Sequence, residues 1–258
     1  MSLDGRGAVV TGGGRGIGAA VARALAREGA AVVVAARTLD QVERVAAELR
    51  ESEWNAWAVV CDVTRPESVR ELARGAIERL GHVDILVNNA GVAHSAPLHK
   101  ITLEDWNRLF AVNATGTFLC TQAFVPGMLE RKWGRVVNVA SVSGLTGARY
   151  IAAYAASKHA VLGFTRAVAA EVALQGVTVN AVCPGYVDTD LTRESVERIV
   201  RETGRTREQA LQALLERTPQ RRLIEPEEVA HAVLALCDEL AKGVNGEAIV
   251  IDGGALLA

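Results

Sequence analysis

Cysteine, proline, methionine and aromatic side chains are all scarce in this 258-residue chain: four Cys, six Pro, two Met and an aromatic fraction of 4%. Cys61, Cys120, Cys183 and Cys237 are widely spaced and form no C-x-x-C pair, which excludes a disulfide framework and a zinc knuckle and leaves four buried, reduced thiols as the expectation. Charge of one sign is also missing. Lys plus Arg number 28 against 30 Asp plus Glu, a formal net charge of −2, so no basic footprint for nucleic acid or anionic lipid is present. The first residues, Met1–Arg6, lack the apolar stretch of a signal peptide, and no apolar run reaches the roughly 18 residues of a membrane span, so a cytoplasmic protein without a membrane partner is expected. His82, His94, His99, His159 and His231 are scattered, which argues against a metal site or a histidine base.

What the chain has in quantity is core material: 50% of residues are hydrophobic and 22% charged. Residues 8–11 and 31–36 are apolar runs without alternation, as in parallel strands buried on both faces. Between them Ile17, Val21, Ala24 and Leu25 recur at helical spacing, with Gly29 placed to end the helix. Further strands are read near 57–61, 83–87, 135–140, 177–182 and 248–251, and helices near 39–50, 66–80, 103–128 and 153–173. Thr38–Gln41 and Thr64–Glu67 have the form of capping boxes, and Pro66 suits a first helical turn. Residues 189–217 are charged, helical in pattern, and interrupt the alternation. No linker or repeat divides the chain. The fold expected is therefore α/β: one domain over 1–258, a Rossmann-like doubly wound parallel sheet of about seven strands with helices on both faces, and 189–217 as a helical insertion over the site.

Directly after the first strand stands Thr11-Gly-Gly-Gly-Arg-Gly-Ile-Gly18, opening a helix. Glycines at 12, 16 and 18 let the backbone turn sharply and approach a pyrophosphate, whose charge meets exposed N–H groups and the positive helix end; Ile17 belongs to the same turn. The end of the second strand selects the dinucleotide, since a carboxylate there accepts from a ribose 2′-hydroxyl and a cation meets a 2′-phosphate. Here the residues are Ala35-Ala36-Arg37, and Arg15 offers a second cation able to converge on the same phosphate, so NADP(H) is favoured. If Arg37 is merely solvated and Arg15 only caps the helix, the preference stays open.

Tyr154-Ala-Ala-Ser-Lys158 places a phenol and an ammonium on one helical face, where the ammonium would favour phenolate and lower the phenol's pKa. Ser141 follows the 135–140 strand, at the sheet edge where open α/β folds hold ligands, and can hydrogen-bond a carbonyl oxygen. Ser143 competes for that role.

With Asp62-Val63, Asn88-Asn89-Ala90-Gly91, Asn113 and Pro184-Gly185 in order beside these motifs, the chain resembles a classical short-chain dehydrogenase/reductase over essentially its whole length. The resemblance implies a catalytic tetrad of Asn113, Ser141, Tyr154 and Lys158, with Asn113 helping to hold a water that connects Lys158 to solvent. It implies that Asp62 and Val63 meet the adenine, that Asn89, Ala90 and Gly91 lie along the cofactor, that Lys158 also meets the nicotinamide ribose, and that Pro184, Gly185, Val187 and Thr189 lie at the carboxamide end. Within the family the chain looks most like 3-oxoacyl-thioester reductases and polyketide ketoreductases, through Asn180–Thr189 and the long Arg-containing segment before Pro226. The implied substrate is a β-ketoacyl thioester, on acyl carrier protein or coenzyme A, with Ser143, Tyr186 and Leu191 at its pocket. A secondary alcohol, sugar or cyclic-ketone dehydrogenase stays open, as does a non-enzymatic dinucleotide sensor. The segment 189–217 is a lid if Leu191, Val196, Ile199 and Val200 close over the substrate while Arg193, Arg198 or Arg201 meets a carrier phosphate; it is an ordinary surface helix pair otherwise. Family resemblance further implies a homotetramer through helices near 103–128 and 153–173, which carry Phe110, Phe118, Phe124 and Phe164.

Overall fold

Short runs of small and β-branched residues form seven parallel strands: β1 (Gly7–Thr11), β2 (Ala31–Ala36), β3 (Ala56–Val60), β4 (Ile85–Asn88), β5 (Gly134–Val139), β6 (Val177–Pro184) and β7 (Ala248–Ile251). They make one sheet in the order β3-β2-β1-β4-β5-β6-β7. The computed structural model describes residues 2–216 and 218–257; Met1, Ala258 and Arg217, the last residue of the expected 189–217 insertion, lie outside them. The helices are α1 (Gly16–Arg27), α2 (Leu39–Glu51), α3 (Pro66–Leu80), α4 (Leu103–Phe110), α5 (Gly116–Arg131), α6 (Ala152–Val172), α7 (Asp190–Thr203), α8 (Arg207–Leu215) and α9 (Pro226–Cys237).

The strands read as unbroken apolar runs because both faces are covered. Ala8, Val10, Val32, Val34, Ile85 and Val87 pack on one face with Val21 and Leu25 of α1, Val42 and Val45 of α2, and Val229 and Val233 of α9. Val9, Val33 and Leu86 pack on the other with Leu72 of α3, Phe124 and Met128 of α5, and Val172 of α6. Alternate residues thus serve opposite layers, the arrangement that a two-sided parallel sheet requires.

Several local readings change. The helix expected over 103–128 is divided by a π-helical turn at Ala111–Thr115, which carries Asn113. Neither expected capping box forms: the Thr38 side chain makes no cap hydrogen bond, and α3, which starts at Pro66 as expected, has Arg65 as its N-cap while Thr64 bonds Asp62. Reciprocal boxes occur instead at Thr206/Gln209 and Glu225/Glu228, the second starting α9, a helix the strand-by-strand reading passed over. The charged insertion is two helices, α7 and α8, turned by Gly204 at φ 68° and held together by Val196, Ala210 and Leu214.

Behind the β4 and β5 ends runs a buried polar ladder. The Asn88 amide donates to Thr121 Oγ1 (3.0 Å) and Asn138 Oδ1 (2.9 Å), and the Asn138 amide donates to Thr165 Oγ1 (2.8 Å), stitching the two strands to α5 and α6. Asn138 is fully buried and the Asn88 oxygen has no partner of its own, so no slack exists for losing another bond. Asn138→Ala strips the Asn88 amide of an acceptor inside the core and is expected to cost about 2–3 kcal/mol, read from urea unfolding.

Candidate active site

The sheet order reverses between β1 and β4, and a ligand crevice is expected outside the strand ends at such a switch point. A cleft of about 320 Å³ lies there, walled by residues at the carboxyl ends of β1 to β6, from Gly12 and Arg37 through Asp62 and Ala90 to Ser141 and Gly185.

The glycine turn is built by close approach. A Cβ on Gly18 would stand 2.4 Å from the Gly12 carbonyl oxygen and 2.5 Å from Asn89 Nδ2, and one on Gly12, at φ 64°, would stand 2.8 Å from Ala90 Cα. Gly12, Arg15, Gly16 and Ile17 line the cleft, whereas Gly18 lies beneath it. Asn89 also differs in its use. Its amide donates both protons to the carbonyls of Thr11 and Gly12 (3.0 Å each), and its N–H bonds Thr11 Oγ1, so its amide nitrogen clamps the turn and is not free for a ligand.

At the second strand's end Arg37 is exposed on the cleft wall, with no carboxylate in ion-pair distance among the described residues. Arg15 lines the same cleft, but its guanidinium already pairs with Asp190 at 3.0 Å. Asp62 loses some carboxylate stability to burial, but hydrogen bonds from the Thr64 amide and hydroxyl, with Arg37 and Arg65 nearby, hold its carboxyl below the ordinary value. Val63 shares this wall.

Ser141, Tyr154 and Lys158 meet at the other end. Ser141 ends β5 as the cap of a short turn, its oxygen accepting from the Ser143 N–H at 3.1 Å. Lys158 is buried and donates to the Val139 carbonyl at 2.8 Å, with Nζ 6.0 Å from the Tyr154 ring centre. Burial pulls the Lys158 ammonium down to about 8. Burial also raises the Tyr154 phenol above its usual value, the Ser141 hydroxyl working against the rise. The net direction is therefore opposite to that expected from the ammonium alone, because burial of the phenol is the largest influence on it and the ammonium is itself desolvated. Asn113 does not reach the cleft wall. Its amide donates to the Val92 carbonyl (3.0 Å) and Ser157 Oγ (2.9 Å), and its oxygen accepts from the Val92 N–H, so both side-chain amide protons are spent on protein. Ser157 in turn donates to the Tyr154 carbonyl, so Asn113 braces the helix that carries the phenol.

Gly91, Pro184, Gly185, Val187, Thr189 and Leu191 line the cleft. Ser143 and Tyr186 do not: Ser143 contributes its amide to Ser141, and Tyr186 packs on the cluster that joins α7 to α8. Sequence reasoning missed Thr38, Gln41, Val92, Asp190 and Thr192 on the same wall. Asp190 had a signal, an acid in the first turn of a helix beside arginines. Among the lid arginines, Arg193 is held by Asp188 and Asp190 and Arg198 donates to Ser95 Oγ at 2.9 Å, so neither is free for a carrier phosphate without exchange. Among the described residues no group of three His, Cys, Asp or Glu could hold a metal ion, and no helix is long and apolar enough to cross a membrane.

A phosphate turn at the switch point of a parallel sheet, with a serine, a phenol and an ammonium converging on the far end of the same cleft, defines a nicotinamide-dependent oxidoreductase on a Rossmann-like domain. The comparisons supply the family: residues 6–199 match the short chain dehydrogenase model, and the chain belongs to that family. It is 37% identical over 255 residues to a 3-oxoacyl-[acyl-carrier-protein] reductase of Aquifex aeolicus, covering 98% of each chain. It is equally 37% identical over 250 residues to a D-beta-hydroxybutyrate dehydrogenase of Rhizobium meliloti, covering 96% of this chain and 97% of the relative. A variant of actinorhodin polyketide ketoreductase, solved with NADPH, superposes with a TM-score of 0.94 at 38% identity over 99% of both chains.

The depressed Lys158 pKa has a pH signature. Below about pH 8 the ammonium is charged in both states and its burial penalty is fully felt. Between there and its ordinary 10.5 the folded state releases the proton first, so stability rises with pH. Unfolding of the unliganded protein, compared with Lys158→Met, should show a gain for the native lysine on the order of 2 kcal/mol between about pH 8 and pH 10.

Proposed function

We propose that this chain is an NADP(H)-dependent ketoreductase acting on a 3-oxoacyl thioester carried by coenzyme A or an acyl carrier protein, with Ser141, Tyr154 and Lys158 at the reacting end and Asn113 as a positioning residue. The observation that carries the reaction class is the meeting of Tyr154 with buried Ser141 and Lys158 at the far end of a cleft that begins at a glycine turn. The cradle fits a dinucleotide. Gly12 and Gly16 hold positive φ, a Cβ on Gly12 would crowd the floor, and the N-terminus of α1 faces the cleft with no acidic residue in its first turn.

When bound, the nicotinamide supplies or accepts the hydride; everything else falls to the chain. Ser141 presents a hydroxyl whose oxygen is already fixed by the Ser143 amide and whose proton can turn from the Tyr154 phenol to the substrate oxygen. Tyr154, kept neutral by burial, is poised to give a proton to oxygen that gains charge, which favours the reductive direction. Lys158, anchored on Val139, stands ready to restore that proton. Arg37 meets a 2′-phosphate at the strand end, where an NAD-selective site would carry an acid.

The thioester follows from the reductase relatives, and the hydroxybutyrate dehydrogenase at the same identity supports a second reading, oxidation or reduction of a short free hydroxy acid. A homotetramer through α4, α5 and α6 is proposed with it: Phe118 of α5 is 42% exposed and stacks edge-on to Phe164 of α6 at 6.2 Å, although Phe124 is spent on the core. The protein is proposed to work in the cytoplasm.

Turnover of acetoacetyl and longer 3-oxoacyl thioesters, free 3-hydroxybutyrate, cyclic ketones and sugars with each reduced or oxidised cofactor tests the reading; activity confined to the free hydroxy acid would replace it with the second. Tyr154→Phe keeps the ring and should lower kcat by roughly 10²–10⁴ with little change in cofactor affinity. Arg37→Asp should move preference from NADPH toward NADH, and a native protein that binds NADH tenfold more tightly would overturn the cofactor assignment.

A further inference from the structure

The first turn of α7 is tied to the phosphate turn by a chain of ion pairs. Arg15 Nη1 lies 3.0 Å from Asp190 Oδ2, Arg193 Nη1 donates to Asp190 Oδ1 at 2.8 Å, and Arg193 Nη2 donates to Asp188 Oδ1 at 2.9 Å. The approach beneath them is close: a Cβ on Gly16 would stand 3.1 Å from the Thr189 methyl. Arg15 and Asp190 both line the cofactor cleft.

Arg15 is therefore a cation with a prior engagement, while Arg37 on the same wall has no ion-pair partner among the described residues. Arg15 gives Asp190 one nitrogen, Nη1, and a guanidinium so engaged must turn away from the carboxylate before it can present its two-pronged face to a phosphate. We infer that Asp190 is a specificity-determining residue, competing with the 2′-phosphate of the dinucleotide for Arg15 and so setting how strongly the site prefers the phosphorylated cofactor. Asp190 keeps Arg193 when Arg15 leaves, so the exchange strands no charge. Both members of the pair are about half exposed, which keeps the competition shallow. The inference rests on the NADP(H) reading above, and the test separates the two.

Calorimetric Kd values at one fixed, low salt concentration are needed for NADPH, NADH, adenosine 2′,5′-bisphosphate and 5′-AMP with the native protein, Asp190→Asn, Arg15→Ala and the double variant. Asp190→Asn should tighten the two 2′-phosphorylated ligands about three- to fivefold, leave NADH and 5′-AMP unchanged, and have no effect once Arg15 is gone. Equal tightening of both ligand classes, an effect that persists without Arg15, or no change at all would each overturn the role of Asp190. Should the native protein prefer NADH with Arg37→Asp changing nothing, the NADP(H) reading falls, while the bisphosphate measurements still decide whether Asp190 competes for Arg15.

Discussion

The contact between the ends of β1 and β4 governs the rest of the molecule. Thr11 and Asn89 exchange hydrogen bonds across it: the Thr11 hydroxyl accepts from two successive N–H groups, of Asn89 and Ala90, and the Asn89 amide returns both protons to the carbonyls of Thr11 and Gly12. The strands come so near that no side chain fits at Gly12 or Gly18. Glycine is therefore required there first by the protein's own backbone, before any ligand arrives. That requirement turns the chain into α1 at the reversal of the sheet, which aims the helix N-terminus into the cleft.

From this contact the frame continues inward as buried hydrogen bonds whose donors are spent. Asn88 and Asn138 lock β4 to β5, Asn113 and Ser157 lock the π-helical turn to the backbone of Tyr154, and Lys158 locks α6 to the end of β5. Tyr154 and Lys158 sit on a helix held by polar contacts inside a low-dielectric wall, and burial raises the phenol and depresses the ammonium. Position and protonation state thus have one cause. Moving either side chain toward solvent would loosen its geometry and return its pKa toward the ordinary value together.

Much of this was legible in the residues. Parallel strands announce themselves as unalternating runs such as Val9-Val10 and Ala31–Ala36, and the glycine turn carries its own context of strand and helix. What could not be read were the partners of polar side chains. Asn89, Asn113 and Arg15 are chemically able to meet a cofactor, a water or a phosphate, and only the fold reveals that Thr11, Val92, Ser157 and Asp190 take their hydrogen bonds. The capping boxes failed for the same reason: Thr64 finds Asp62 two residues back before it can cap α3. The π-helical turn was invisible because its residues, Ala111–Thr115, have the apolar spacing of an ordinary helix.

The helix pair α7 and α8 beside the cleft is attached by the opposite rule from the frame. α7 and α8 share a small apolar cluster of Val196, Ala210 and Leu214, and α7 is tied to the body by the exposed pair of Arg15 with Asp190 and the half-buried hydrogen bond of Arg198 to Ser95. Such contacts are individually worth little and are exchanged readily with solvent or with a phosphate. A segment attached in this way costs less to detach than the buried frame below it. The two sets of contacts are also separate: among the described residues no buried hydrogen bond joins Asp190, Leu191 or the α7 arginines to Ser141, Tyr154 or Lys158.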